Sequence, residues 1–166
     1  MTSVLKVDNI QNSSGTDAIS VDSNGVVTQP AKPSFYAYAD EGWAGLTNAT
    51  YALAALDHTN FNVGSCYNTS TKKFVAPVDG IYYFHGQAYF DPTGRLRIRF
   101  TKNGSEIAFA HANFDGSGTT YSLSKTLELS ANDEIQFYVR VDSGADGSSD
   151  VYYGENHTFF TGFLVG

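Results

Sequence analysis

FNVGSCYNTSTKKFVAPVDGIYYFHGQAYF, residues 61–90, is the stretch whose reading decides the fold. Its last third, Gly80 to Phe90, alternates as a strand does, with successive side chains on opposite faces. Tyr82, Phe84, Ala88 and Phe90 share one face, with Gly80 and Gly86 where no side chain fits. Ile81, Tyr83, His85, Gln87 and Tyr89 share the other. Both faces are rich in rings, so the strand is expected to be central and covered on each side. Upstream, residues 61–68 and 72–75 read as shorter strands around the turn Asn68-Thr69-Ser70-Thr71.

The chain on either side keeps the same grammar. Ser34-Phe35-Tyr36-Ala37-Tyr38 reads as a first strand, and residues 40–56 as irregular, because Gly42, Trp43, Gly45 and Asn48 interrupt any period. After a turn at 91–94, Arg95-Leu96-Arg97-Ile98-Arg99-Phe100 alternates cation with apolar residue. Asn103-Gly104 is a strong hairpin signal, followed by a strand over 106–110. Gly116-Ser117-Gly118 breaks the chain before Tyr121, Leu123, Leu127 and Leu129, which share one face of a long strand. A turn at 131–133 leads to a strand over 135–141. A polar loop over 142–150, Val151-Tyr152-Tyr153 and a final strand near 157–165 complete the chain. No helical period occurs, and the pattern predicts an all-β domain of two antiparallel sheets packed face to face.

Phe61, Asn68, Phe74, Gly80, Tyr82 and Phe84 resemble the aromatic signature of the C1q branch of the C1q/TNF-like superfamily. His157-Thr158-Phe159-Phe160-Thr161-Gly162-Phe163-Leu164 is similar to that family's closing strand. The resemblance spans residues 33–166 and implies a ten-strand, two-sheet jelly-roll sandwich that assembles as a tight homotrimer. Rings in excess of one core are then expected along the subunit seam: Tyr36, Tyr38, Tyr83, Tyr89, Tyr138, Tyr152 and Phe163. Tyrosine suits such a seam through its flat apolar body and polar tip. The core of the sandwich is the other place for them.

Residues 1–32 differ in character and contain no aromatic residue. Two β-like runs, 5–7 and 18–22, are each followed by a turn cluster, Asn12-Ser13-Ser14-Gly15 and Ser23-Asn24-Gly25. Such an arm buries too little apolar surface to offset the entropy of ordering unless it winds with copies of itself or docks on a partner. LKVDNIQNSSGTDAISVDSNGVV, residues 5–27, is similar to short β-segments of bacteriophage tail-fibre and other virion proteins. Pro30 and Pro33 stiffen the linker that follows. The chain thus divides into an attachment or stalk arm over 1–32 and a knob over 33–166.

With 166 residues there is room for one domain with a sizeable core. The net charge of −7 argues against a broad grip on nucleic acid, which needs clustered positive charge. A single cysteine, Cys66, permits no intrachain disulfide. No apolar run reaches the roughly 18 residues of a membrane span. The start lacks the succession of a secretory signal, so synthesis in a host cytoplasm is expected. The five Asn-X-Ser/Thr triplets, at Asn12, Asn48, Asn68, Asn103 and Asn156, then reflect composition alone.

Two constellations carry candidate chemistry. Asp142, Asp146 and Asp150, at four-residue intervals in a Gly/Ser loop, could collect around Ca²⁺. The EF-hand pattern is not met, since Gly144 and Tyr153 stand where acids belong, and a solvated turn is the alternative. Arg95, Arg97 and Arg99 could grip acidic glycans or phosphates, pair with a neighbouring subunit's Glu106 or Glu128, or face water. His58, His85, His111 and His157 show no metal-ligand spacing, and Cys66 reads as a buried thiol. No nucleophile elbow or phosphate loop occurs, and no carboxylate pair can be picked out among the 17 acids, so enzymatic activity is not expected.

These readings predict a trimeric bacteriophage virion protein whose arm holds other virion proteins and whose knob adheres to host-surface glycan or protein. A capsid decoration or cement protein is the alternative. A cellular C1q-like lectin or adhesin comes third.

Overall fold

Turn chemistry cuts this chain into strands. The computed structural model describes residues 4–41, 46–90, 94–114, 118–142 and 151–166. Its strands are Asn9–Gln11 (β1), Asp17–Val21 (β2), Val27–Thr28 (β3), Ser34–Tyr38 (β4), Ala52–Leu53 (β5), His58–Val63 (β6) and Tyr67–Asn68 (β7). Lys73–Val75 (β8), Gly80–Phe90 (β9), Gly94–Lys102 (β10), Ser105–Phe114 (β11), Thr119–Leu129 (β12), Glu134–Asp142 (β13) and Phe159–Leu164 (β14) follow. At the β10–β11 turn Asn103 and Gly104 have φ of 50° and 83°, the left-handed pair that a two-residue hairpin requires. Gly64 (φ 75°) and Ser65 (φ 49°) break the continuous strand expected over 61–68 into β6 and β7. The chain there leaves one sheet and enters the other.

Two antiparallel sheets form the knob. One runs β12-β9-β14-β4-β6; the other runs β11-β10-β13-β8-β7, with β5 also on β13. The second edge of β13 is shared, β8 pairing at Glu134 and Ile135 and β5 at Tyr138 and Val139. Among the described residues this gives the ten strands expected for a jelly roll plus β5, which lies in the segment read as irregular.

The core forms where the sheets meet. Phe160 is its hub, with ring centroids 5.0 Å from Phe35, 5.3 Å from Phe100, 5.7 Å from Phe84 and 5.9 Å from Phe137. Those rings close over backbone. A Cβ on Gly86 would lie 2.9 Å from Phe137, and one on Gly162 would lie 2.6 Å from Phe84. Tyr82, Phe84, Ala88 and Phe90 are fully buried, as the alternation of β9 predicts. The opposite face of β9 departs from expectation. None of the described residues covers it fully, and Ile81 is 47% exposed.

The arm departs as well. Residues 5–7 form no strand; β1 instead begins at Asn9, beside the turn that pairs it with β2. Asn12 Oδ1 accepts from the backbone N–H of Ser14 and Thr16, and this turn sets the register. With β3 the arm is a three-stranded meander whose β1 and β3 are exposed throughout. It joins the knob where β4 begins and β14 ends; Leu164 N donates to Pro33 O, and Lys32 Nζ to Val165 O. Tyr38 and Phe159 mark the far end of those two strands.

Candidate functional site

The outward faces of the two sheets carry opposite chemistry. On the β12-β9-β14-β4-β6 sheet, the outward residues of the three middle strands are Ser34, Tyr36 and Tyr38; Ile81, Tyr83, His85, Gln87 and Tyr89; and Phe159, Thr161 and Phe163. No carboxylate, lysine or arginine stands among them. Tyr36 stacks on Phe159 at 5.0 Å and meets Phe61 of β6 at 6.3 Å, while Tyr83 meets Phe163 at 5.4 Å. His85 packs on Phe159 at 5.6 Å, and its Nδ1 lies 2.8 Å from Ser124 Oγ, which also accepts from Tyr83 Oη. Burial pulls the His85 imidazole below its ordinary value, so it is neutral at pH 7. Phe61 and Phe163 remain 46% and 44% exposed.

Five of the residues expected at a seam therefore share this face: Tyr36, Tyr38, Tyr83, Tyr89 and Phe163. Tyr152 joins them at the rim, its ring 5.0 Å from Tyr89. Tyr138 stands apart, on the other sheet. Phe61, His85 and Phe159 complete the band; the sequence put His85 on the face of Tyr83 and Tyr89 without assigning it to a seam, and did not place Phe61 and Phe159 there. The available signal was alternation, since Phe159 is two residues from Phe163's neighbour Thr161 and shares its parity. Beside the band, β11 and β12 end their respective sheets. Glu106, Ile107, Ala108 and Phe109 of β11 and Leu123, Ser124 and Lys125 of β12 line a groove of mixed polarity between these two edges.

The other outward face is cationic. Along β10, buried Leu96, Ile98 and Phe100 alternate with Arg95, Arg97 and Arg99. On β13, Arg140 lies directly opposite Arg97, and Tyr138 opposite Arg99. Two like charges in register repel. Asp142 resolves this: its Oδ2 accepts from Arg97 Nε at 2.9 Å and its Oδ1 from Arg140 Nε at 2.6 Å. Burial by itself would raise the Asp142 carboxyl, but hydrogen bonding and charge from Arg140 and Arg97 hold it below the ordinary value. Arg99 lies under the Tyr51 ring, 3.8 Å from its centroid, and 5.0 Å from that of Tyr138. Its Nη1 meets Glu106 of the same chain at 3.3 Å. Its buried Nε has no hydrogen-bond partner among the described residues. Arg95 Nε donates to Asn113 Oδ1 at 3.0 Å.

The remaining candidates are dispersed. Asp146 and Asp150 lie outside the described residues, and among those described no group of three His, Cys, Asp or Glu side chains could hold a metal. His58 sits near Asp57 and Asp40, His111 stacks on Phe109, and His157 Nδ1 contacts Tyr153 O. Cys66 is 2% exposed, donates to Val63 O, and has its thiol pushed up to about 11 by burial. Among the described residues its Sγ meets Asn62 Oδ1 and Val63 O, neither of them a base, and a thiol so shifted is a poor nucleophile at neutral pH.

The model of the C1q domain matches residues 35–165. The heavy metal-binding protein HIP of Mytilus edulis is 29% identical over 114 residues, covering 68% of this chain and 52% of that protein. The chain thus spans about half the length of this curated relative. Among solved structures, the globular domain of zebrafish complement 1qA protein is similar with a TM-score of 0.62 and 20% identity, covering 81% of this chain and 98% of that one. Eiger TNF from S. frugiperda gives 0.65 and 10%, covering 82% and 94%. Murine APRIL at pH 5.0 gives 0.64 and 9%, covering 81% and 99%. At these identities the likeness speaks for the fold.

Proposed function

The chain belongs to the C1q domain family, and on that premise we propose a non-enzymatic homotrimeric knob, carried on the surface of a bacteriophage virion by its N-terminal arm. The observation that carries the trimer is the uncharged aromatic band over Tyr36, Phe61, Tyr83, Phe159 and Phe163. Phe61, Ile81 and Phe163 are each almost half exposed. Covering what remains of each contributes about 1 kcal/mol. The groove at the β11–β12 edge is a second, mixed surface of different shape, in which Ile107, Phe109 and Leu123 lie among Glu106, Ser124 and Lys125. Two unlike surfaces on one chain favour head-to-tail contact, which closes into a ring of three where each step turns the chain by a third of a circle. Closure also covers sheet edges that would otherwise invite aggregation.

The arm supports attachment. Val4, Leu5, Val7, Ile10, Val26 and Val27 are all exposed on it, so its apolar groups await a partner. Its resemblance to virion β-segments supports another virion protein as that partner. Attachment at the arm leaves the opposite end of the knob facing outward. Three copies raise the effective concentration of weak contacts, which suits adhesion to a host surface. A capsid decoration role is the second reading, favoured by the shortness of the meander, which fits docking better than a long shaft.

Light scattering of the full chain tests the assembly. The expected mass is three times 18.0 kDa. The double substitution Tyr83→Glu with Phe163→Glu is expected to yield monomers. A wild-type particle of single-chain mass at micromolar concentration overturns the trimer. Gold-labelled antibody against the chain, applied to virus particles from the culture that encodes it, reads the location: tail labelling supports adhesion, even head labelling supports decoration, and unlabelled particles overturn the virion role.

A further inference from the structure

All four arginines of the chain, Arg95, Arg97, Arg99 and Arg140, stand on one outward face, in a protein of net charge −7. We propose that this face binds an acidic polysaccharide through its carboxylate groups. The proposal rests on the adhesive reading above and names its ligand class. The face lies across the sandwich from the aromatic band; the groove that would meet the band reaches it at Glu106 and Phe109, beside Arg99, and leaves the Arg95, Arg97 and Arg140 part open.

Three features point to carboxylates on a chain rather than to a single ion. First, Arg95, Arg97 and Arg99 are outward positions of one strand and span about 14 Å at the usual rise. That length admits more than one acidic group. Second, among the described residues Asp142 and Glu106 answer two of the four guanidinium charges, which leaves an excess of two there. Asp142 also shows that this face accepts a carboxylate, at 2.6 and 2.9 Å. Third, the arginines are set among groups suited to sugars. Asn113 lies opposite Arg95 and His111 opposite Arg97 across the β10–β11 ladder, and Tyr51 and Tyr138 flank Arg99. Packing fixes the guanidinium planes in advance, so little rotamer freedom remains to be lost on binding. A modest local excess of charge in an acidic protein fits polyphosphate backbones less well, because those depend on many phosphate contacts.

The test uses the full chain with oligogalacturonate as probe, maltooligosaccharide as its neutral counterpart and a single-stranded oligodeoxynucleotide as the competing polyanion. Titration at low salt is expected to show binding of oligogalacturonate alone. The Arg95→Gln/Arg99→Gln variant is expected to bind at least about tenfold more weakly, since even one of the two charge-assisted contacts removed accounts for that factor. Its melting temperature is read alongside. If it unfolds, Arg95→Gln alone, which removes only the Asn113 contact, serves in its place. Absence of wild-type binding, equal binding of the neutral sugar, preference for the oligonucleotide, or unchanged affinity in a folded variant each overturn the proposal. Light scattering on the same samples separates the two readings: a trimer that ignores the probe sinks this inference alone, and a monomer that binds it sinks only the trimeric reading.

Discussion

Replacing Asp142 with asparagine removes the carboxylate that, among the described residues, holds Arg97 and Arg140 side by side. Each hydrogen bond it accepts is charge-assisted, and such bonds contribute about 1.5–3 kcal/mol when well buried. The three side chains are 21–29% exposed, so water recovers part of that. The variant also leaves two guanidinium groups opposed in register. The expected cost is about 2–3 kcal/mol, or a fall in Tm of about 5–10 °C for a chain of this length. Urea unfolding should show a lower midpoint at unchanged slope. The pH dependence carries the sign. Because the folded state holds the carboxyl below its ordinary value of 3.8, the stabilisation is complete above that pH. It fades as pH falls through the folded value. The gap between wild type and Asp142→Asn should therefore be level at neutral pH and close in acid. A loss under about 0.5 kcal/mol, or a gap that persists undiminished into strong acid, refutes the arginine bridge. Calcium gives an independent reading. If added Ca²⁺ raises the wild-type Tm, EDTA reverses it and Asp142→Asn abolishes it, the carboxylate serves a cation instead.

Two further outcomes follow from the core. Gly162→Ala sets a Cβ 2.6 Å from Phe84 Cδ1 and 3.0 Å from Phe35 Cε1, between fully buried rings. We expect a loss of about 2–3 kcal/mol in urea unfolding, and an unaffected midpoint would mean that the two rings can part. Cys66, with its thiol pushed up to about 11 from an ordinary 9.0, should react with iodoacetamide at pH 8 roughly a hundredfold more slowly in the folded protein than in urea. Equal rates would show that the site opens freely.

Alternation along single strands was legible without coordinates. Tyr82, Phe84 and Phe90 face inward and Tyr83 and Tyr89 outward because side chains flip sides at every residue, whatever the neighbours do. The Asn103-Gly104 hairpin was equally plain, since its left-handed backbone admits few residue types. The breaks were harder. Residues 61–68 look continuous, and only the change of sheet at Gly64 and Ser65 divides them. In the arm, the turn at Asn12 drew pairing to Asn9–Gln11 rather than to the more apolar 5–7. Asp142 shows the same limit chemically: in the sequence it belongs to an acidic loop, and in space it belongs to two arginines, one of them 45 residues away.

Residue order by itself determined the all-β class, the two-sided strands and the separate character of residues 1–32, because each follows from local periodicity and composition. Tertiary structure alone decided that Phe61 and Phe159 join Tyr36 and Tyr83 in one uncharged band, that Tyr138 goes to the opposite face, and that Arg140 stands against Arg97. Those outcomes depend on which sheet a strand enters and on its register there. Both are settled by the fit of many distant side chains at once, above all the rings gathered around Phe160.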